Sequence, residues 1–147
     1  MAALIVLFSS AVLFRALGLL LLPDWFGAWV DSARAGLALM FVFTGVSHFT
    51  SMQADFVRMV PEVLPAPGFL VSLTGACELL GAAGILFPST RDTAGICLII
   101  LLAVMLPANI RASRKGIRMG GKSPTPLWAR IPMQGLLMGL VWWTTQG

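Results

Sequence analysis

Apolar residues run along this chain in five long stretches, 3–22, 34–52, 67–87, 93–111 and 127–145, parted by short segments where proline, glycine and charge collect. Each stretch approaches the ~20 residues that a helix needs to cross a ~30 Å hydrocarbon layer. The pattern predicts an all-α fold, an integral membrane helical bundle, with residues 1–147 as one transmembrane domain. The first stretch has no basic start and no clear small-residue cleavage site ahead of Asp24, so it reads as a retained membrane helix rather than a signal peptide. After Pro23, Trp25 and Trp29 stand one turn apart, as in an aromatic belt, and predict a short surface-lying turn. Segment 53–66 carries Asp55, Arg58 and Glu62 among Pro61 and Pro65, which predicts a short amphipathic piece and a turn.

Composition agrees with a bilayer as solvent: 58% of the 147 residues are hydrophobic and 11% charged, too few polar side chains to disperse a soluble domain of this size. The formal charge of +4 is no sign of nucleic-acid binding, because the cations sit between apolar runs, where they act as topology signals. Five of the ten Lys and Arg residues, Arg111, Arg114, Lys115, Arg118 and Lys122, lie in one flexible segment. The positive-inside rule makes that segment cytoplasmic, with the N-terminus and 53–66 inside and 25–31, 89–92 and the C-terminus outside. Loops this short suit a prokaryotic inner membrane.

Thiols and imidazole are scarce. Cys77 and Cys97 lie in different apolar runs at different depths, outside any C-x-x-C pair, and read as small buried hydrophobes. With a single His48 no structural zinc site is expected.

The candidate chemistry is intramembrane. Glu78 falls about 16 Å into its stretch, close to mid-bilayer. It shares a helix face with Thr74, Gly75, Gly81 and Ala82, the small residues that let helices approach. A carboxyl at that depth costs on the order of 3 kcal/mol, so it faces protein and is a site candidate, with a packed structural Glu as the plain alternative. Thr44, Gly45 and His48 share a face of the second stretch. His48, Asn109, Arg130 and Gln134 are expected at one depth near the inner side, with Arg130 able to reach Glu78 if their helices are neighbours. Each has a bland reading: His48 facing headgroups, Asn109 capping its helix after Pro107, Arg130 snorkelling, Gln134 bonding across helices. Arg15 is too costly to face lipid and is expected to turn toward the bundle, an acidic neighbour, a local water defect or another subunit.

The words Thr44-Gly45-Val46-Ser47-His48-Phe49, Gly75-Ala76-Cys77-Glu78-Leu79-Leu80-Gly81, Leu106-Pro107-Ala108-Asn109-Ile110 and Arg130-Ile131-Pro132-Met133-Gln134, in this order, resemble the DoxX-like family of small four-helix membrane proteins. The resemblance covers roughly Arg34 to Trp143 and makes the first helix an addition to a four-helix unit. It implies one of two roles. Membrane subunits of thiosulfate:quinone oxidoreductases would cast His48, Glu78 and Arg130 as a quinone or proton site. NACHO-like assembly chaperones would cast the same face as a dock for a client helix.

No flavin, haem or iron–sulfur motif accompanies these residues, and the loops hold no catalytic constellation. The sequence is therefore read as a non-catalytic accessory or assembly protein without a cofactor of its own. It binds the lipid bilayer and another integral membrane protein, or a second copy, through Glu78, His48, Arg130, Gln134, Asn109, Thr44 and Arg15. A quinone-linked redox subunit holding a bound quinone or lipid is the alternative. A small-solute or lipid transporter ranks third.

Overall fold

A computed structural model describes residues 2–21 and 26–146, which form six helices and no strand. They are α1 (Ala2–Leu20), α2 (Trp29–Ser47), α3 (Gln53–Met59), α4 (Pro67–Gly84), α5 (Arg91–Arg114) and α6 (Leu127–Gln146). Among the described residues, α1, α2, α4 and α5 are long and apolar enough to cross a membrane. Helix α6 matches them at 20 residues, but Arg130, Gln134, Thr144 and Thr145 keep its hydropathy below theirs, and all four are buried within the bundle.

The second helix begins at Trp29, ahead of the expected 34, and ends at Ser47, ahead of 52. Polar first-turn residues explain the early start: Asp31 accepts a hydrogen bond from Arg34 Nη1 at 2.6 Å, and Ser32 Oγ donates to the Phe26 carbonyl. A charge pair that satisfies itself is compatible with helix where hydropathy alone reads loop. The helix breaks into turns after Ser47, which lets the short α3 run separately, as proline and charge in 53–66 led one to expect. Of the surface-lying turn expected at 24–29, residues 22–25 lie outside the described residues.

Helices α2, α4, α5 and α6 pack in a closed ring, each against the next and α6 back against α2, while α1 lies outside the ring along α2. The core is a column of Leu37, Met40 and Phe41 from α2, Ala82 of α4 and Ile85 just after it, Leu98 and Leu102 from α5, and Leu137 and Val141 from α6. Glycines set the helix spacing. A Cβ on Gly45 would lie 3.1 Å from the Gly75 carbonyl oxygen, one on Gly36 3.0 Å from that of Leu7, and one on Gly84 2.6 Å from the Ala94 Cβ. Small residues at a seam let backbones approach and raise dispersion contact, the main attraction between helices in lipid. Hydroxyls inside the bundle bond back to their own helix, as Ser10 Oγ does to Val6 O at 2.6 Å and Thr145 Oγ1 to Val141 O at 2.7 Å. No polar hydrogen is thereby offered to lipid.

Large apolar side chains cover the outside, including Leu39, Val42 and Phe43 of α2, Leu80 of α4 and Ile96, Ile100 and Val104 of α5. Trp128 is exposed at one end of the bundle and Trp142 and Trp143 at the other, the two-belt arrangement expected of a spanning bundle.

The end that carries the basic segment is tied together by charge. Glu62 accepts hydrogen bonds from Arg111 Nη2 at 2.6 Å and Lys115 Nζ at 3.2 Å, which hold its carboxyl below the usual carboxylate range. Met119 and Lys122 exchange backbone hydrogen bonds around Gly120 and Gly121, at φ 56° and 76°. Two successive positive φ angles make the mirror-image turn that glycine accepts readily. The turn docks on α3, with the Gly120 amide donating to Asp55 Oδ2 at 2.9 Å.

The α5–α6 seam gives a direct test. A Cβ on Gly95 would overlap Thr145, which is buried, whereas one on Gly68 meets nothing within 4 Å. Gly95→Ala is expected to destabilise the bundle by about 1–3 kcal/mol through overpacking, and Gly68→Ala to leave it unchanged. Thermal unfolding of the two purified variants in mild detergent checks both.

Candidate functional site

The α2–α4 contact builds the site. Gly75 on α4 has no side chain, and a Cβ there would lie 2.6 Å from the Cβ of His48, the residue that caps α2. The vacancy seats the imidazole against α4, where Nδ1 lies 2.9 Å from the Val71 carbonyl oxygen and 3.3 Å from Thr74 Oγ1. Phe56 of α3 stacks on the other side of the ring, with centroids 4.3 Å apart and planes 13° from parallel. His48 is 3% exposed and Glu78 4%. Thus His48 is not a headgroup-facing residue: the turn after Ser47 folds it back under α3.

His48 Nε2 faces Glu78 Oε1 at 3.8 Å, and Glu78 Oε2 is buried without a hydrogen-bond partner. Thr44 stands beside the same carboxyl, with its hydroxyl donating to the Met40 and Phe41 carbonyls. This geometry constrains the proton count. A carbonyl oxygen only accepts, so the Val71 bond fixes the hydrogen on Nδ1 and leaves Nε2 as a lone pair when the ring is neutral. A lone pair opposite an ionised carboxylate is repulsive in a medium of low dielectric. The pair therefore calls for one proton, held either as the carboxylic acid or as imidazolium, and in either form it can accept or release that proton.

Arg130, Asn109 and Gln134 form a separate cluster at the α5–α6 seam. Arg130 Nη1 donates to Asn109 Oδ1 at 2.9 Å, Asn109 Nδ2 to Gln134 Oε1 at 3.5 Å, and Gln134 Nε2 to the Leu102 carbonyl at 2.7 Å. Pro107 lies inside α5 and lacks the N–H that would bond the Ala103 carbonyl, but the acceptors that α5 gives this cluster are the Asn109 side-chain oxygen and the Leu102 carbonyl. Arg130 is 9% exposed, and its Nε has no partner. It is a bonded residue of the seam rather than a snorkelling one.

The sequence expectation gathered His48, Asn109, Arg130 and Gln134 at one depth with Glu78 farther in, and the structure divides these groups in two, His48 with Glu78 and Arg130 with Asn109 and Gln134. Arg130 does not pair with Glu78, because α4 and α6 are opposite members of the ring and each bonds to its own neighbour. Arg15, also expected at the site, sits at the far end of the bundle, with Nη1 3.5 Å from the Phe26 carbonyl and its guanidinium 5.5 Å from the centre of the Trp29 ring. It found a carbonyl and a π face instead of an acid. Arg34, which sequence reasoning did not single out, is a counterpart: buried, it bonds Asp31 and donates from Nε to the Thr144 carbonyl at 2.8 Å, joining α2 to the end of α6. An Asp three residues ahead of an Arg in an apolar run was the available signal.

A correction concerns the thiols. Cys77 and Cys97 are exposed, not buried, and both line one open groove of about 820 Å³ between α4 and α5. Nor are they at different depths: the tight connection at 85–90 makes α4 and α5 an antiparallel hairpin, with each cysteine about two turns from it. The groove's walls include Leu80 and Ala83 of α4 and Ile100 and Val104 of α5.

No group of three or more His, Cys, Asp or Glu able to hold a metal occurs among the described residues. The class defined by fold and site is an all-helical bundle of membrane-spanning length with a buried acid–base pair. A family model described as "Domain of unknown function (DUF8561)" matches residues 37–145, and the chain belongs to that family. The match runs from within α2 to the end of α6 and so covers the ring without α1. Comparison with curated proteins and with solved structures gives no match.

The proton requirement is testable by substitution. In Glu78→Gln an amide N–H donates to His48 Nε2 in place of the proton, so stability is expected to change by less than about 1.5 kcal/mol. Were the native pair an imidazolium–carboxylate ion pair, removing the carboxylate would cost about 3–5 kcal/mol. Thermal unfolding of Glu78→Gln beside Glu78→Ala in the same detergent separates the two states of the pair.

Proposed function

We propose that this chain is an integral membrane protein with five spans, α6 being the fifth, and that it acts as a non-catalytic accessory or assembly protein for another membrane protein. The observation that carries the reading is a contrast between two faces of α4. The polar groups that could do chemistry inside a bilayer, Glu78 and His48, are turned into the fold, while the outward face opens a groove with walls of small and apolar side chains. Such a groove suits an apolar helix of a partner, since helix association in lipid relies on close packing. Docking therefore falls to the groove rather than to Glu78, His48, Arg130, Gln134 and Asn109, whose part is to fix the helices that shape it. The closed ring with α1 added supports kinship with DoxX-like proteins, which belongs to the same proposal. So does the orientation, with the basic segment at 111–126 and the N-terminus cytoplasmic, the C-terminus outside and the membrane that of a prokaryotic cell.

A second reading, a quinone-linked redox subunit, is favoured by one specific observation, the unpartnered Glu78 Oε2 beside His48. A quinone carbonyl or quinol hydroxyl could use a group that holds exchangeable hydrogen.

The groove supplies its own probe, because the chain's two cysteines both line it. In native membranes a membrane-permeant maleimide is expected to label Cys77 and Cys97 slowly, and rapidly after the protein is separated from its partner. Leu80→Trp, at a position 73% exposed, is expected to fill the groove, abolish recovery of a stoichiometric membrane partner and leave the unfolding temperature unchanged. Equal labelling in both states and an intact complex in Leu80→Trp would sink the docking reading. Quinone retained through mild purification, and lost in Glu78→Gln, would favour the redox reading instead.

A further inference from the structure

A second groove lies at the basic end of the bundle, between α3 and the first turns of α4. Its volume is about 600 Å³, and its walls are Gln53, Ala54, Val57 and Arg58 from α3 and Gly68, Phe69 and Ser72 from α4. We propose that it binds one phospholipid with an anionic headgroup, the phosphate on Arg58 and an acyl chain along Phe69 and Val57. The proposal rests on the reading of the chain as membrane-embedded.

The walls divide by chemistry. Phe69 is 65% exposed and, with Ala54 and Val57, makes an apolar side. The polar side is Arg58, whose side chain is 70% exposed, with Gln53 Nε2 and Ser72 Oγ bonded to each other at 3.1 Å. Arg58 has one partner, Asp55 Oδ1, at 3.4 Å. The other Asp55 oxygen accepts the Gly120 amide, so that carboxylate is held toward the basic turn. A guanidinium has five N–H donors in a planar fork that matches phosphate, and here most of them are free.

Charge around the groove points to an anion. Arg58, Arg111, Arg114, Lys115, Arg118 and Lys122 surround this end of the bundle, against Asp55 and Glu62. Glu62 is committed to Arg111 and Lys115, and Arg114, Arg118 and Lys122 make no ion pair among the described residues. A free phosphate would satisfy the charge and leave Phe69 bare. A zwitterionic lipid would cover Phe69 and bring its own cation into a positive field. An anionic phospholipid meets both walls at the level where a bilayer places its headgroups.

The test uses full-length protein, purified and delipidated in mild detergent. Phosphatidylglycerol, phosphatidylcholine and inorganic phosphate are titrated while the unfolding temperature is followed, and native mass spectrometry counts bound lipid. Phosphatidylglycerol alone is expected to raise the unfolding temperature and to give a one-lipid adduct. Arg58→Gln is expected to weaken that binding about fivefold, and Arg114→Gln, outside the groove, to weaken it less. Phe69→Ala, which leaves every charge in place, is expected to weaken it as well and keeps the proposal testable should Arg58→Gln fold poorly. An equal response to phosphatidylcholine, the full effect from phosphate, or equal losses in Arg58→Gln and Arg114→Gln would each overturn the proposal. Recovery of the chain in the soluble fraction of carbonate-washed cells would instead remove the membrane premise.

Discussion

A polar group inside an apolar layer has no water to bond, and this one constraint accounts for most of what holds the bundle together. The chain carries Glu78, His48, Arg34, Arg130, Gln134 and Asn109 within or at the ends of its long helices, and each meets a polar group of another helix. Arg34 joins α2 to α6, His48 joins α2 to α4, and Gln134 and Arg130 join α6 to α5. Three of the four seams of the ring thus carry a buried polar contact. The α4–α5 seam relies instead on glycine against small or flexible neighbours, with Gly81 under Leu98 and Gly84 against Ala94. That same seam opens as the apolar groove.

The energetics follow the same division. A buried hydrogen bond between helices in lipid contributes about 0.6–2 kcal/mol, less than its gas-phase strength suggests, because the separated helices also find partners. Removing one member is more damaging than the bond is stabilising, since the other stays buried and unpaired. Glycine seams behave differently: they gain from many weak contacts at close approach, and fail by overlap when a side chain is added. The polar seams set which helices are neighbours, and the glycine seams set how closely they lie.

Hydropathy made the number and order of the long helices legible, because the ~20-residue length of an apolar run is set by the chain itself. The helical, small-residue setting of Glu78 was legible too, since spacing on a helix places Gly75, Gly81 and Ala82 on its face, all of them buried. Neighbour relations were not. One sequence holds no record of which helices touch, so a reach from Arg130 to Glu78 hung on their helices being neighbours, and the ring sets them opposite. The cysteines were misread for a related reason: depth in an antiparallel hairpin is counted from the connecting turn, and exposure depends on which face a neighbour covers. His48 was ambiguous because hydropathy extended its helix to 52, while the chain turns after Ser47 and brings α3 down over the ring.

Docking and redox chemistry would use opposite faces of α4. Glu78 and Gly75 look into the ring toward α2, while Cys77 and Leu80, one residue before Glu78 and two after, look out into the groove. A helix turns its side chains by about 100° per residue, so neighbours in sequence serve different surroundings with no backbone change. The proton held by the pair has no partner on the outside, and the groove has no titratable group other than its two thiols. The glycines that set the spacing of α4 from α2 and from α5 are different residues, Gly75 on one side and Gly81 and Gly84 on the other. Docking and redox chemistry would therefore be separable in one molecule, and a chain that had only one of them would need only one of these faces to stay as it is.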